Sequence, residues 1–214
     1  NWENSFLLAS FILFICAFPL LLFSGKEIEE RQAKPYQGIV IVLKSVFRTF
    51  RNKKASPFIL GYGGHTYELF GFRSWTFPCI IFLSNHFNVS VNDAFIANSI
   101  GLMGFIGIFT SIYGAKYCLG KNRAQVVSNM GMLCFFVSIL TAISFWLSFW
   151  LALLMLFIYN AFITLDSGSL TTGTVINGES HDRGVRLALH SMVGFLGGAI
   201  GGPVVGFVLD NFGG

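Results

Sequence analysis

The chain has 214 residues, of which 54% are apolar and only 11% charged, and its mean hydropathy is +0.67. A water-facing surface carries about a quarter charged residues, so this composition excludes an ordinary soluble domain. It predicts an all-α integral membrane protein, a polytopic bundle of about six transmembrane helices at roughly 20 residues each. The formal net charge of +4 suggests nucleic acid until the cations are placed; they follow membrane topology instead, and no nucleic-acid partner is expected.

The first expected span occupies 1–24 and is apolar and uncharged from 6 to 24. It is too long for a signal peptide, is preceded by Glu3 rather than a basic segment, and has its nearest cations, Lys26 and Arg31, after it. The chain opens at Asn1 without a Met and closes just after a hydrophobic run, so a piece of a longer protein is expected. A basic linker follows over 25–56, beginning KEIEERQAK. From 38 to 50, Ile39, Val42, Leu43, Val46 and Phe47 alternate at helical spacing with Lys44, Arg48 and the following Arg51. This predicts a basic amphipathic helix, either lying on an anionic membrane surface or acting as a solvated connector. The remainder, 57–214, is expected to hold five spans, at about 57–84, 94–115, 124–143, 147–172 and 187–209. The 42 residues 124–165 contain no Asp, Glu, Lys or Arg. As one helix they would measure roughly 63 Å, about twice the hydrocarbon thickness, so a tight turn is expected near 144–148.

Of the 14 Lys and Arg residues, eight lie in 26–54, three in 116–123 and two in 183–186; Arg73 alone falls inside a span. The alternate connections, around 85–93 and 144–148, have none. By the positive-inside rule this places loops 25–56, 116–123 and 175–186 in the cytoplasm of a multi-pass protein of the plasma or inner membrane, with lipid as its surroundings. Cys16, Cys79, Cys118 and Cys134 form no CxxC pair, so free thiols are expected rather than a disulfide framework or a zinc site. In the last span, Gly194, Gly197, Gly198, Gly201 and Gly202 precede Pro203. Small residues at this spacing let helices approach closely in lipid, with flexing or gating at the proline as the alternative.

Ionisable groups at membrane depth are costly unless paired or wetted, which makes them functional candidates. Four stand out: His65, Glu68 and Arg73 in the second span and Asp166 in the fifth. Counted from the cytoplasmic end near Pro57, helix rise puts His65 roughly 12 Å deep, Glu68 about 16 Å and Arg73 about 24 Å, with Asp166 roughly 9 Å deep in its own span. His65 and Asp166 would share a level if their helices are neighbours. His65 and Glu68, three apart, share a helix face, as do Glu68 and Trp75, whereas Arg73 does not stack on Glu68. These groups suggest a proton-coupled carrier in which Glu68 or Asp166 takes up the coupling proton and His65 relays it. Arg73 would attract an anionic substrate or neutralise Glu68, and Tyr62 and Trp75 would line the cavity. For each charge, pairing with other helices is the structural alternative, and His190 is read as structural.

The pattern resembles the major facilitator superfamily over essentially the whole chain. Trp2 ahead of the first span looks like the start of the sixth of that family's twelve helices, and 25–56 looks like its central loop. The stretch GYGGHTYELFGFRSW (61–75) is similar to the seventh helix of a subgroup of bacterial carriers, and DSGSLTTG (166–173) to the tenth. Arg183-Gly184, then LHSMVGF (189–195) and Gly202-Pro203, resemble its last loop and eleventh helix. One departure stands in GAKYCLGKNR (114–123), which is a residue shorter than the family's G-x-x-x-D-R-x-G-R loop motif and lacks the Asp. The resemblance implies a major-facilitator-like half working with an N-terminal half that is missing here. It implies secondary active transport of a small-molecule substrate by alternating access, with the proton as candidate coupling ion, and neither enzymatic activity nor a cofactor. A channel or a non-transporting membrane scaffold is the competing reading. An intramembrane metalloenzyme is a third, weakened because His65-x-x-Glu68 with Asp166 lacks the second spaced ligand of an H-E-x-x-H site, so no metal is expected.

Overall fold

The computed structural model describes residues 7–8, 10–15, 39–178 and 182–212. The first expected span and the linker up to residue 38, with Trp2 and Cys16, therefore lie almost wholly outside the described residues, as does 179–181 of the last basic loop. The chain divides into two units, Asn1–Ile41 and Val42–Gly214. In the first, residues 7–8 and 10–15 are helical and expose their apolar side chains.

The rest is built of helices: α1 (Ile39–Arg51), α2 (Ser56–His86), α3 (Asp93–Tyr117), α4 (Arg123–Ser144), α5 (Phe149–Leu165), α6 (Ser167–Ile176) and α7 (Arg183–Phe212). No strand occurs among the described residues. Short polar side chains set most of the ends. Asn92, Asn122 and Ser148 cap α3, α4 and α5, their oxygens accepting from the backbone N–H of Phe95, Gln125 and Leu151. Each satisfies one of the donors that a helix start leaves orphaned. Helix α2 begins with Pro57 in its first turn, where a missing N–H costs nothing. It stops at Asn88, which takes the left-handed conformation (φ 52°) while Val89 N–H reaches Ser84 O and Asn88 N–H reaches Asn85 O. That is a Schellman ending with Asn in place of Gly. The turn between α4 and α5 occupies 145–148.

Four stretches are long and apolar enough to cross a membrane: Asp93–Tyr117, Arg123–Ser144, Phe149–Ile176 and Arg183–Phe212. Helix α2, although 31 residues long, falls short of them in apolar character because it carries the His, Glu and Arg discussed above. Phe135 and Phe136 on α4 and Phe195 and Phe207 on α7 are exposed, as are Phe105 and Phe109 on α3. Apolar belts on this scale, on an all-helical chain, are features of a helical membrane protein, in which helices satisfy their own backbone groups and turn apolar side chains to lipid.

Helices α5 and α6 stand at the centre, touching α2, α3 and α4, while α7 lies along α2 in the most extensive contact of the bundle. The apolar core fills one end, where Ile80 and Leu83 of α2 meet Ile96 and Met103 of α3 and Phe149 and Leu156 of α5. The buried ionisable groups His65, Arg186 and His190 lie towards the other end with Thr66, Ser169 and Thr174, while the buried polar groups of the apolar end are the hydroxyls of Thr76, Ser84, Ser99, Thr141 and Ser144.

The span expected over 147–172 is present as Phe149–Ile176, with a break inside it that the sequence did not signal. The fifth span does not run unbroken through Asp166: α5 ends at Leu165 and α6 starts at Ser167, with Asp166 between them. The break coincides with a backbone crossing at which the Leu165 carbonyl lies against Gly114 of α3. At the far end of α6, the buried Arg186 guanidinium donates to the carbonyls of Thr174 (3.1 Å) and Val175 (3.1 Å). A cation there satisfies orphan carbonyls and opposes the negative end of the helix dipole. Arg48 of α1 forms an ion pair with Asp182, in the loop before α7, at 2.8 Å.

Candidate functional site

The polar end of the bundle is organised around α2, whose side chains meet different helices on successive turns. His65 is buried, and its Nδ1 stands 2.8 Å from Asp166 Oδ1, within ion-pair distance but misaligned for a hydrogen bond. His65 lies nine residues from the start of α2 and Asp166 ten from the end of α6. The helical rise then places both roughly 14–15 Å from the end of their helices, near half the hydrocarbon thickness. Because Asp166 sits at the α5–α6 break, the pair ties α2 to the irregular point inside Phe149–Ile176.

One turn further along α2, Glu68 turns away from the clefts that His65 and Arg73 line. Its Oε1 accepts a hydrogen bond from Tyr159 Oη of α5 at 2.7 Å and a longer one from Cys134 Sγ of α4 at 3.4 Å. Tyr159 and Asp166 are two turns apart on the α5–α6 line, so both contacts fit one antiparallel register between α2 and α5–α6. Glu68 and Arg73 form no ion pair among the described residues.

Arg73 is exposed, and two adjoining clefts between α2, α3 and α5 share it as a lining residue. One has a volume of about 470 Å³ and is bounded by Phe72, Thr76, Ile100, Met103 and Asn160. The other, about 340 Å³, runs towards His65, Leu69, Ser111, Thr164 and Ser167. The walls are held by buried polar contacts. Asn160 Nδ2 donates to Met103 O at 2.6 Å, and the hydroxyls of Thr110 and Thr164 lie 2.6 Å apart.

Tyr62 and Trp75 face α7 instead. The Tyr62 ring stacks on His190 (centroids 3.8 Å apart) and on His65 (5.7 Å), and lies over Gly194. His190 places Nε2 3.2 Å from Thr171 Oγ1 and Nδ1 3.1 Å from Thr174 Oγ1, so it joins α7 to α6. Trp75 Nε1 donates to Gly202 O at 2.8 Å and its ring covers Gly206. The remaining small residues of α7 meet α2 closely: Gly197 lies on the Gly63 carbonyl, Gly201 on that of Tyr67, Gly198 on Phe70, and Gly202 on Ser74. Pro203 lies within α7, which continues to Phe212; its ring removes the N–H that would reach the Ala199 carbonyl.

Sequence reasoning passed over Tyr159, Cys134, Asn160 and the threonines around His190. The position of Tyr159, seven residues before Asp166 and so on the same face, was the available signal. Cys79, Cys118 and Cys134 are free thiols. Among the described residues no group of three or more His, Cys, Asp or Glu side chains is arranged to hold a metal ion. Comparison with protein-family models, with curated proteins and with solved structures found no match.

Proposed function

We propose that this chain is part of a secondary active transporter that moves a small solute across a membrane by alternating access, as a half resembling those of the major facilitator superfamily. The observation that carries this reading is the engagement of two carboxylates within the bundle by titratable groups of other helices, Asp166 by His65 and Glu68 by Tyr159. Such groups in a span mark proton or solute pathways.

The coupling proton resides at His65–Asp166. A protonated imidazole and a carboxylate attract across the α2–α6 contact; a second proton neutralises Asp166, and loss of the first neutralises His65, so either change removes the attraction. Glu68–Tyr159 forms a second polar latch between α2 and α5. Helices α2 and α7 move as one unit because their contact is made of glycines and backbone, while the contact of α2 with α5–α6 includes these two charge-sensitive latches. Protonation thereby biases two arrangements of the same helices, which is what coupling requires. The basic loops face the cytoplasm, and the partner half covers the open side of the clefts.

The test is uptake of a panel of labelled solutes into proteoliposomes holding the complete protein, under an imposed pH gradient. Saturable accumulation that a protonophore abolishes is expected. Flux that never saturates would identify a channel, and flux of nothing in the panel at any gradient would refute transport.

A further inference from the structure

The geometry points to a small monocarboxylate with a short apolar body as the solute, gripped by Arg73; this rests on the carrier reading in identifying the bound molecule as cargo. Arg73 lies 17 residues into α2, roughly 25 Å along the helix. Counted from Ser56 that is within a hydrocarbon layer of about 30 Å but towards its far boundary, where an Arg is held by a partner, a water-filled cavity, an anion or reach to the interface. Among the described residues it has no carboxylate partner: Asp166 is engaged by His65, and Glu68 by Tyr159 and Cys134. Both carboxylates of the α2 and α5–α6 contact are thus engaged by other groups, and the Arg73 side chain lines the two clefts.

The walls define the rest of the ligand. Phe72, Ile100, Met103 and Ile108 offer apolar contact in the larger cleft, and its volume of about 470 Å³ falls in the range of small-molecule sites. Its polar groups are largely spent: Thr76 donates to Phe72 O, and Asn160 Nδ2 donates to Met103 O. In the neighbouring cleft the hydroxyls of Ser111 and Ser167 make no hydrogen bond among the described residues, which leaves two neutral donors beside one cation. A guanidinium presents two parallel N–H groups that match a carboxylate. One cation balances one negative charge, and the apolar walls suit a hydrocarbon or aromatic remainder better than a sugar or a dicarboxylate.

The experiment uses the full-length protein in nanodiscs and equilibrium binding of radiolabelled benzoate and hexanoate, competed by benzamide, hexanamide and succinate. Saturable binding of the two monocarboxylates, with no competition from the amides and little from succinate, is expected. Arg73→Gln should weaken it by roughly tenfold to a hundredfold, the range for a lost charge-assisted contact, and Arg73→Lys by less. Amides competing as well as the acids, or no saturable binding of either acid to the wild-type protein, would overturn the assignment without need of a variant. Monocarboxylate binding without flux into proteoliposomes would leave the anion site standing and remove the carrier reading. Saturable proton-driven flux of a neutral or cationic solute alone would do the reverse.

Discussion

The α2–α7 contact is the feature whose disruption can be worked out most directly. A methyl group added at Gly201 would overlap the Tyr67 carbonyl and stand 3.0 Å from Gly71 N, whereas ordinary contacts begin near 3.4 Å. Both obstacles are backbone atoms, so no side chain can swing aside and the two helices must separate. Overpacking of this kind costs about 1–3 kcal/mol. Separation also stretches the bonds from Thr66 to Gly194 O (2.7 Å) and from Trp75 to Gly202 O (2.8 Å), each worth about 0.5–1.5 kcal/mol. Gly201→Ala should therefore destabilise by about 2–6 kcal/mol, which lowers the melting temperature by roughly 4–24 °C for a chain of this size. Gly131 of α4 is the control, since a methyl there meets nothing within 4 Å; alanine improves helix propensity by up to about 1 kcal/mol. Thermal melting of detergent-solubilised protein, followed by fluorescence-detected size exclusion, compares the two. Equal melting of Gly201→Ala and Gly131→Ala would refute the claim that backbone contact holds α2 to α7.

Three further outcomes are expected. Asp166→Asn and Glu68→Gln should each reduce pH-gradient-driven accumulation to the level of empty liposomes while leaving expression intact; unchanged uptake in both would remove the coupling assignment. Arg186→Ala should lower the melting temperature sharply, because the buried guanidinium makes two hydrogen bonds to α6 carbonyls, each worth about 1.5–3 kcal/mol. Arg186→Lys, with a point charge in place of a fork, should recover only part, and wild-type melting in both would refute the capping role. The Arg48–Asp182 pair has one side chain 61% exposed, so a double-mutant cycle to alanine should give a coupling of about 1 kcal/mol or less, shrinking with salt.

Hydropathy and charge along the chain were enough to predict helices, the tight turn near 144–148 and a helix entering near Pro57, whereas the caps Asn92, Asn122 and Ser148 were read only from the structure. Hydropathy and charge also picked out His65, Glu68, Arg73 and Asp166 as costly within a span. These signals are local: a span needs only its own run of apolar residues. Which group answers which charge is another matter. Sharing a face of α2 suggested that His65 and Glu68 act together, yet one meets α6 and the other α4 and α5. Tyr62 and Trp75, expected in the cavity, stack and hydrogen-bond against α7, and the span through Asp166 breaks where Leu165 crosses Gly114. Each depends on the rotation and register of helices roughly 50 to 130 residues apart. Composition and period carry no record of those angles, so partner choice was decided only when the helices packed.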